Sequence, residues 1–192
     1  MKNNSKIITA IAFLALFSAD ALAFDPHEAL RQREISRYEF LGRDQGIVRD
    51  KVTGLQWMRC SLGQTWQART RTCSGVAGRF NYSQARALPM LMNQAGGYAG
   101  YTDWRLLTVE ELRTLVFCSS GHGFAALFCD DNSHHPTIVT QAFPNTPIDS
   151  FWSGSPGASN SGSAWGVSFG YGGAGSDGRG VNGRVRLVRG GQ

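Results

Sequence analysis

Lysine is nearly missing from this chain. Only Lys2, Lys6 and Lys51 are present, against 16 arginines. A basic balance carried by guanidinium favours forked contacts with carboxylate, sulfate or phosphate. Histidine stops at His135 and cysteine at Cys129. A catalytic order that needs a late histidine is therefore excluded, and so is any cysteine pair between 130 and 192. After Phe17 no apolar run is long enough to span a bilayer. No segment repeats at a fixed period, which excludes solenoids and propellers.

What is there begins with a leader. Lys2 and Lys6, the apolar run from Ile7 to Phe17 and the small-x-small Ala21-Leu22-Ala23 read as a signal peptide cut between Ala23 and Phe24. The run is short for a membrane anchor, and Ser18-Ala19-Asp20 breaks it. No cysteine follows the cut, so no lipid-modified N-terminus is expected. The expected organisation is a signal peptide over 1–23, an N-terminal arm over 24–36 and one domain over 37–192. That length suits a single sizeable core.

Loss of Lys2, Lys6 and Asp20 with the leader lowers the net charge from +5 to +4. The charge is uneven. Residues 24–102 hold 11 basic and 6 acidic side chains, residues 103–149 hold 2 and 6, and residues 150–192 hold 4 and 1. Candidate anion-binding residues thus fall before and after the middle of the chain. They are Arg59, Arg69, Arg71 and Arg79, and then Arg179, Arg184, Arg186 and Arg189. Solvated surface charge and internal ion pairs are the ordinary alternative.

Cys60, Cys73, Cys118 and Cys129 all follow the cut. An even count in an exported chain points to disulfides. Three pairings are open. Cys60–Cys73 with Cys118–Cys129 is favoured, because each closes a short loop flanked by stronger structure.

The elements are legible in order. Asp25-Pro26-His27-Glu28 signals a helix start, and the helix runs to about Ile35 with a poor apolar face. Residues 37–40 and 46–50 alternate as strands do, and 55–58 follows a further turn, so a three-stranded meander is expected. Residues 60–80 read as a loop. Asn81 or Ser83 caps a helix carrying Ala85, Leu88, Met92 and Ala95, with a kink or late start at Pro89. Thr108 and Glu111 form a capping box for a helix expected to reach about Phe117. Asp103-Trp104-Arg105 enters that helix from a turn, with Trp104 as its anchor in the core and the charged pair fixing the turn. Residues 118–150 show no periodicity. Residues 151–153 and 164–169 are strands, 170–183 a glycine-rich loop and 185–189 a last strand.

Several patterns look like chemistry. Gly166-Val167-Ser168-Phe169-Gly170 matches a nucleophile elbow, but that motif needs a strand, a sharp turn and a helix. Gly170-Tyr171-Gly172-Gly173-Ala174-Gly175 matches a dinucleotide fingerprint, with no helix and no room for a βαβ unit. Cys118, His122, Cys129 and His134 resemble no standard zinc spacing. Asp130-Asp131-Asn132 offers too few oxygens to fill a calcium shell. Trp57, Trp104, Trp152 and Trp165 could line a sugar-binding platform, but they fall in strand or helix-entry patterns and are expected in the core. Trp66, in a polar stretch, is the candidate exposed aromatic.

A longer pattern runs through the chain. It comprises Gly46-Ile47-Val48, Asp50, Thr53-Gly54-Leu55 and Trp57, then Gly100-Tyr101-Thr102-Asp103-Trp104-Arg105-Leu106, Thr108 and Glu110-Glu111-Leu112. Phe143-Pro144, Thr146, Phe151-Trp152-Ser153, Ala164-Trp165 and Val185-Arg186-Leu187-Val188-Arg189 complete it. This resembles the Lcl C-terminal domain family, named for the C-terminal domain of the Legionella collagen-like adhesin. The likeness covers about Tyr38 to Arg189 and departs at Leu107, where the family usually has proline.

The resemblance implies an α+β, C-type-lectin-like fold, with two main helices packed on small antiparallel sheets and long disulfide-stapled loops. It implies no calcium-lectin site, because neither the Trp-Asn-Asp triplet nor the Glu-Pro-Asn or Gln-Pro-Asp loop occurs. The adhesin's domain is linked to glycosaminoglycan binding, but this chain has no collagen repeat to supply avidity.

The function expected is an exported bacterial binding module, non-enzymatic and without a cofactor or metal. Its location is periplasmic or cell-surface, and its ligand an acidic polysaccharide or an envelope protein. Neither nucleic acid nor a membrane span in the mature chain is expected. Two alternatives stay open. One is a metal-dependent or enzymatic protein using the 118–150 loop. The other is a structural subunit of an envelope or surface assembly.

Overall fold

The computed structural model describes residues 26–42, 44–121, 128–130, 133–157 and 161–191. The leader with Ala23 and Phe24, the Asp25 cap, and His122, Asp131 and Asn132 lie outside the described residues. In chain order the elements are α1 (Pro26–Ser36), β1 (Tyr38–Leu41), β2 (Ile47–Asp50), β3 (Gln56–Met58), β4 (Thr65–Gln67) and β5 (Thr72–Ser74). Then come α2 (Tyr82–Gln94), α3 (Val109–Arg113), β6 (Ser150–Pro156), β7 (Ser163–Ser168), β8 (Ala174–Gly178) and β9 (Val188–Arg189). The fold is α+β, with three small antiparallel sheets ordered β1-β2-β3-β9, β4-β5 and β6-β7-β8.

The meander forms as its sequence requires, with β1–β2 and β2–β3 antiparallel. Asp50 holds its far end. Its carboxylate is fully buried and accepts from Arg37 Nε at 2.8 Å, the Val52 N–H at 2.9 Å and Thr53 Oγ1 at 2.8 Å. Burial alone would raise this carboxyl. The bonds from Arg37, Thr53 and Val52 outweigh it and hold Asp50 below the usual carboxylate range.

Five expectations change. The last strand is Val188–Arg189 alone, while residues 185–187 run outside any strand. Residues 60–80 contain the β4–β5 hairpin rather than loop alone. Residues 170–183 contain β8, which pairs along β7 from Ser163 to Val167. α2 runs unbroken through a buried Pro89, with Asn81 as its cap and Gln84 completing the box. α3 stops at Arg113 instead of near Phe117. Its end tightens into three-residue turns, Leu115 N–H to Leu112 O and Val116 N–H to Arg113 O, and the Phe117 N–H then donates to Thr137 O. Burying Leu115 and bridging Val116 to Ile138 wins over one more helical turn.

Two apolar clusters share residues 185–188 between them. One gathers Val48, Trp57, Leu112, Phe143, Phe151 and Val188, the other Ile47, Met58, Trp104, Trp152, Val185 and Leu187. The period-two alternation expected for residues 185–189 is what divides them. Val185 and Leu187 face the second cluster. Val188 faces the first, as does Arg186, whose guanidinium stacks on Phe143 and Phe151.

Candidate functional site

The hairpin is fastened to the main body at several points. The Cys60–Cys73 disulfide ties β5 to the chain just beyond β3, with 5.5 Å between Cα atoms. The Cys73 N–H donates to Asn145 Oδ1 at 3.0 Å, and Gln64 Nε2 donates to the Asn145 carbonyl at 3.1 Å. At the tip, the Arg71 N–H closes the turn onto Gln67 O at 2.7 Å. Arg71 does this at φ +56°. Left-handed backbone costs a residue with a Cβ about 1–2 kcal/mol, and glycine or asparagine is the usual occupant.

Behind the tip, Arg59 is clamped between two rings. Its guanidinium carbon lies 4.2 Å from the Trp66 ring centre and 4.7 Å from that of Phe40. Nε donates to Ala142 O at 2.9 Å and Nη2 to Gln141 O at 2.7 Å. Burial, then the nearby Arg71 charge, push its pKa down to about 10. It remains a cation at neutral pH. Gly46 makes the floor. A Cβ there would sit 2.5 Å from Tyr98 Oη and 2.7 Å from Trp66 Cγ, so only glycine lets both rings lie down.

The result is an aromatic and cationic face. Trp66 is half-buried, Phe40 is 47 % exposed, and the Arg69 and Arg71 side chains are open to solvent. Among the described residues no carboxylate pairs with Arg59, Arg69 or Arg71. The sequence singles out Arg59, Trp66, Arg69 and Arg71; the fold stacks Trp66 on Arg59 and brings Arg71 close enough to act on the Arg59 charge, and Arg69 lies in the same hairpin turn as Arg71. Sequence reasoning misses Phe40 and Tyr98. Alternation in β1 puts Phe40 on the same face as the buried Tyr38, yet Phe40 is exposed, so the sequence points away from it. Nothing local marks Tyr98.

The remaining candidates go elsewhere. Arg59 itself is only 6 % exposed, so it supports the face from beneath instead of presenting a free guanidinium. Arg184 is committed to Asp149 at 3.0 Å and to the Ala77 and Gly78 carbonyls, which leaves it no open fork. Arg79 shares the same Asp149 at 2.6 Å. Arg179 lies over the Tyr82 ring at 5.0 Å and donates to Ser163 O, away from the hairpin strands. Arg186 is fully buried and cannot join a surface patch. Arg189 pairs with Asp103 at 2.7 Å and sits 3.6 Å from the Tyr101 ring centre.

The helix-entry turn is scaffold, held differently from expectation. Asp103 and Arg105 do not pair with each other. Asp103 reaches Arg189, while Arg105 grips Glu111 through two bonds of 2.8 and 2.6 Å and donates to Gly190 O. Trp104 is 2 % exposed, and its Nε1 donates to Tyr98 O at 3.1 Å. Trp57 and Trp152 are buried and Trp165 partly so, packed against the first cluster. Ser168 ends β7 before a turn to antiparallel β8, and its hydroxyl accepts from the Gly170 N–H, so no elbow forms. Cys118 and Cys129 are bonded to each other, so neither sulfur is a thiolate for zinc.

No curated protein matches this chain. The model of the Lcl C-terminal domain matches residues 46–189. That span takes in both disulfides, the hairpin, the helix-entry turn and the shared residues 185–188. With most of its length matched and the quoted pattern folded into one body, the chain belongs to the Lcl C-terminal domain family.

Proposed function

We infer that this protein is an exported, non-enzymatic binding module of the bacterial envelope or cell surface, with a C-type-lectin-like fold, and that it holds an acidic polysaccharide on the hairpin face. One observation carries the reading. Two exposed arginines, one of them in a costly backbone conformation, form the turn of the hairpin that carries Trp66, and no carboxylate is paired to them among the described residues. Backbone strain that a glycine would relieve is tolerated where a side chain is needed for another purpose. The arginines take sulfate or carboxylate groups by forked bonds, and Trp66 with Phe40 offers ring faces to the sugars between them.

Family membership supports an adhesin-associated role. The two disulfides support an oxidising compartment, and no described helix is long and apolar enough to cross a membrane. The test is retention on a heparin column. The wild-type protein elutes later than a neutral control, and Arg69→Ser with Arg71→Ser elutes with the control. Wild-type retention no stronger than the control's contradicts the reading.

A further inference from the structure

A concave surface elsewhere shares no residue with the hairpin face. It is a groove of about 560 Å³ between α2 and the extended segment that precedes α3. Arg86, Pro89, Met90 and Asn93 form one wall and Trp104 to Leu106 the other, and no carboxylate lines it.

The backbone of this second wall is an extended segment that makes one isolated β-bridge, Arg105 to Val188, and has one open side. Arg105 exchanges both of its peptide hydrogen bonds with Val188, at 2.9 and 3.1 Å, and the Leu107 carbonyl accepts from the Gly154 N–H. Peptide groups along a strand alternate between its two sides. Trp104 and Leu106 therefore turn theirs toward α2. At Trp104 that side is filled. The Asn93 side-chain amide donates to the Trp104 carbonyl at 2.8 Å and accepts from its N–H at 3.1 Å, standing in for a neighbouring strand. At Leu106 it is not filled. Its N–H has no acceptor among the described residues, and its carbonyl receives only Arg105 Nη1 at 3.5 Å.

The groove's charge and its apolar surface are both available. Arg86 is exposed and without an ion pair among the described residues, its guanidinium 5.9 Å from the Tyr82 ring. Met90 is 56 % exposed, and the buried Pro89 adds an apolar wall without an N–H of its own.

We propose that the groove takes an extended acidic peptide of a protein partner, added as a short strand at Leu106. A peptide carbonyl accepts from the Leu106 N–H, an acidic side chain meets Arg86, and an apolar side chain covers Met90. Strand addition draws affinity from main-chain bonds and specificity from alternate side chains. A peptide repeats donors and acceptors at strand spacing and so continues the pattern that Asn93 begins, which a polysaccharide does not.

The test titrates isotope-labelled protein with a synthetic peptide of alternating valine and glutamate. The Leu106 amide resonance shifts and saturates. Arg86→Glu keeps the melting temperature, since Arg86 is exposed, and weakens binding about tenfold by exchanging an attractive charge contact for a repulsive one. Arg69→Ser with Arg71→Ser leaves peptide binding unchanged, which separates this groove from the hairpin face. The inference is overturned if the Leu106 amide does not move, if Arg86→Glu binds the peptide as well as wild type, or if a sulfated polysaccharide shifts that amide and the peptide does not.

Discussion

The Arg186 guanidinium lies 4.8 Å from the centre of the Phe143 ring, in a side chain with no exposed surface. No carboxylate pairs with it among the described residues. Its partners are the Met58 and Arg59 carbonyls and the Ser61 and Thr146 hydroxyls. Burial pushes its pKa down to about 9, and it stays charged at neutral pH. Arg186 is therefore a strut that gives donors to the irregular chain after β3. Arg186→Ala strands those carbonyls and opens a cavity, and we expect a loss of about 3 kcal/mol. Arg186→Lys keeps the charge, loses the fork and is destabilised as well. Urea midpoints of both variants check this.

Trp104→Ala is expected to cost about 3–5 kcal/mol by truncating a fully enclosed ring. Asn93→Ala leaves the ring in place but removes both clips on the Trp104 backbone, at a cost of about 1–3 kcal/mol. A Trp104→Ala protein of unchanged stability would overturn the scaffold role of this turn.

Acid should weaken the fold through Asp50 and Glu111. Burial works to raise both carboxyls. For Asp50 the bonds from Arg37, Thr53 and Val52 prevail, and for Glu111 those from Arg105 and the Thr108 N–H, so both lie below their ordinary values of 3.8 and 4.5. Such a group adds stability above its unfolded pKa and loses it as pH falls through the lower folded value. The urea midpoint should therefore drop between about pH 5 and about pH 2, and Asp50→Asn should flatten that drop.

Much of this architecture is legible because it rests on local chemistry. The capping box of Thr108 and Glu111 marks the start of α3 without reference to anything distant. Cys60 and Cys73 pair across 13 residues and Cys118 and Cys129 across 11, so each bridge closes locally. The end of α3 is not legible, because the Thr137 carbonyl that takes the Phe117 N–H lies 20 residues on. β4 and β5 are three residues each, too short for alternation to show, and β8 is glycine, serine and aspartate on its exposed part. The arginines divide for the same reason. Whether one is a strut like Arg186 or a surface cation like Arg69 depends on partners far along the chain.

Arg71→Gly separates strain from function in a single variant. Glycine enters left-handed backbone freely, so the variant should gain about 1 kcal/mol of stability. It should at the same time bind a sulfated polysaccharide more weakly. A loss of stability would mean that the Arg71 side chain supports the hairpin.

Reduction offers a control on the hairpin's footing. Cys60→Ser with Cys73→Ser removes a bridge worth about 3 kcal/mol to the folded state. Under conditions where the variant stays folded, its polysaccharide affinity should fall, because Arg69 and Arg71 then ride on a strand pair held without a covalent tie, by Asn145 and by the stacking of Trp66 on Arg59.

The most direct measurement is the salt dependence of binding to a sulfated polysaccharide, wild type against Arg69→Ser with Arg71→Ser. Each cation that neutralises an acid group releases counterions, so the logarithmic slope of affinity against salt should flatten by roughly one for each arginine removed. The account predicts weaker binding and a slope shallower by about two in the double variant. Equal affinity and equal slope in the two proteins would contradict it.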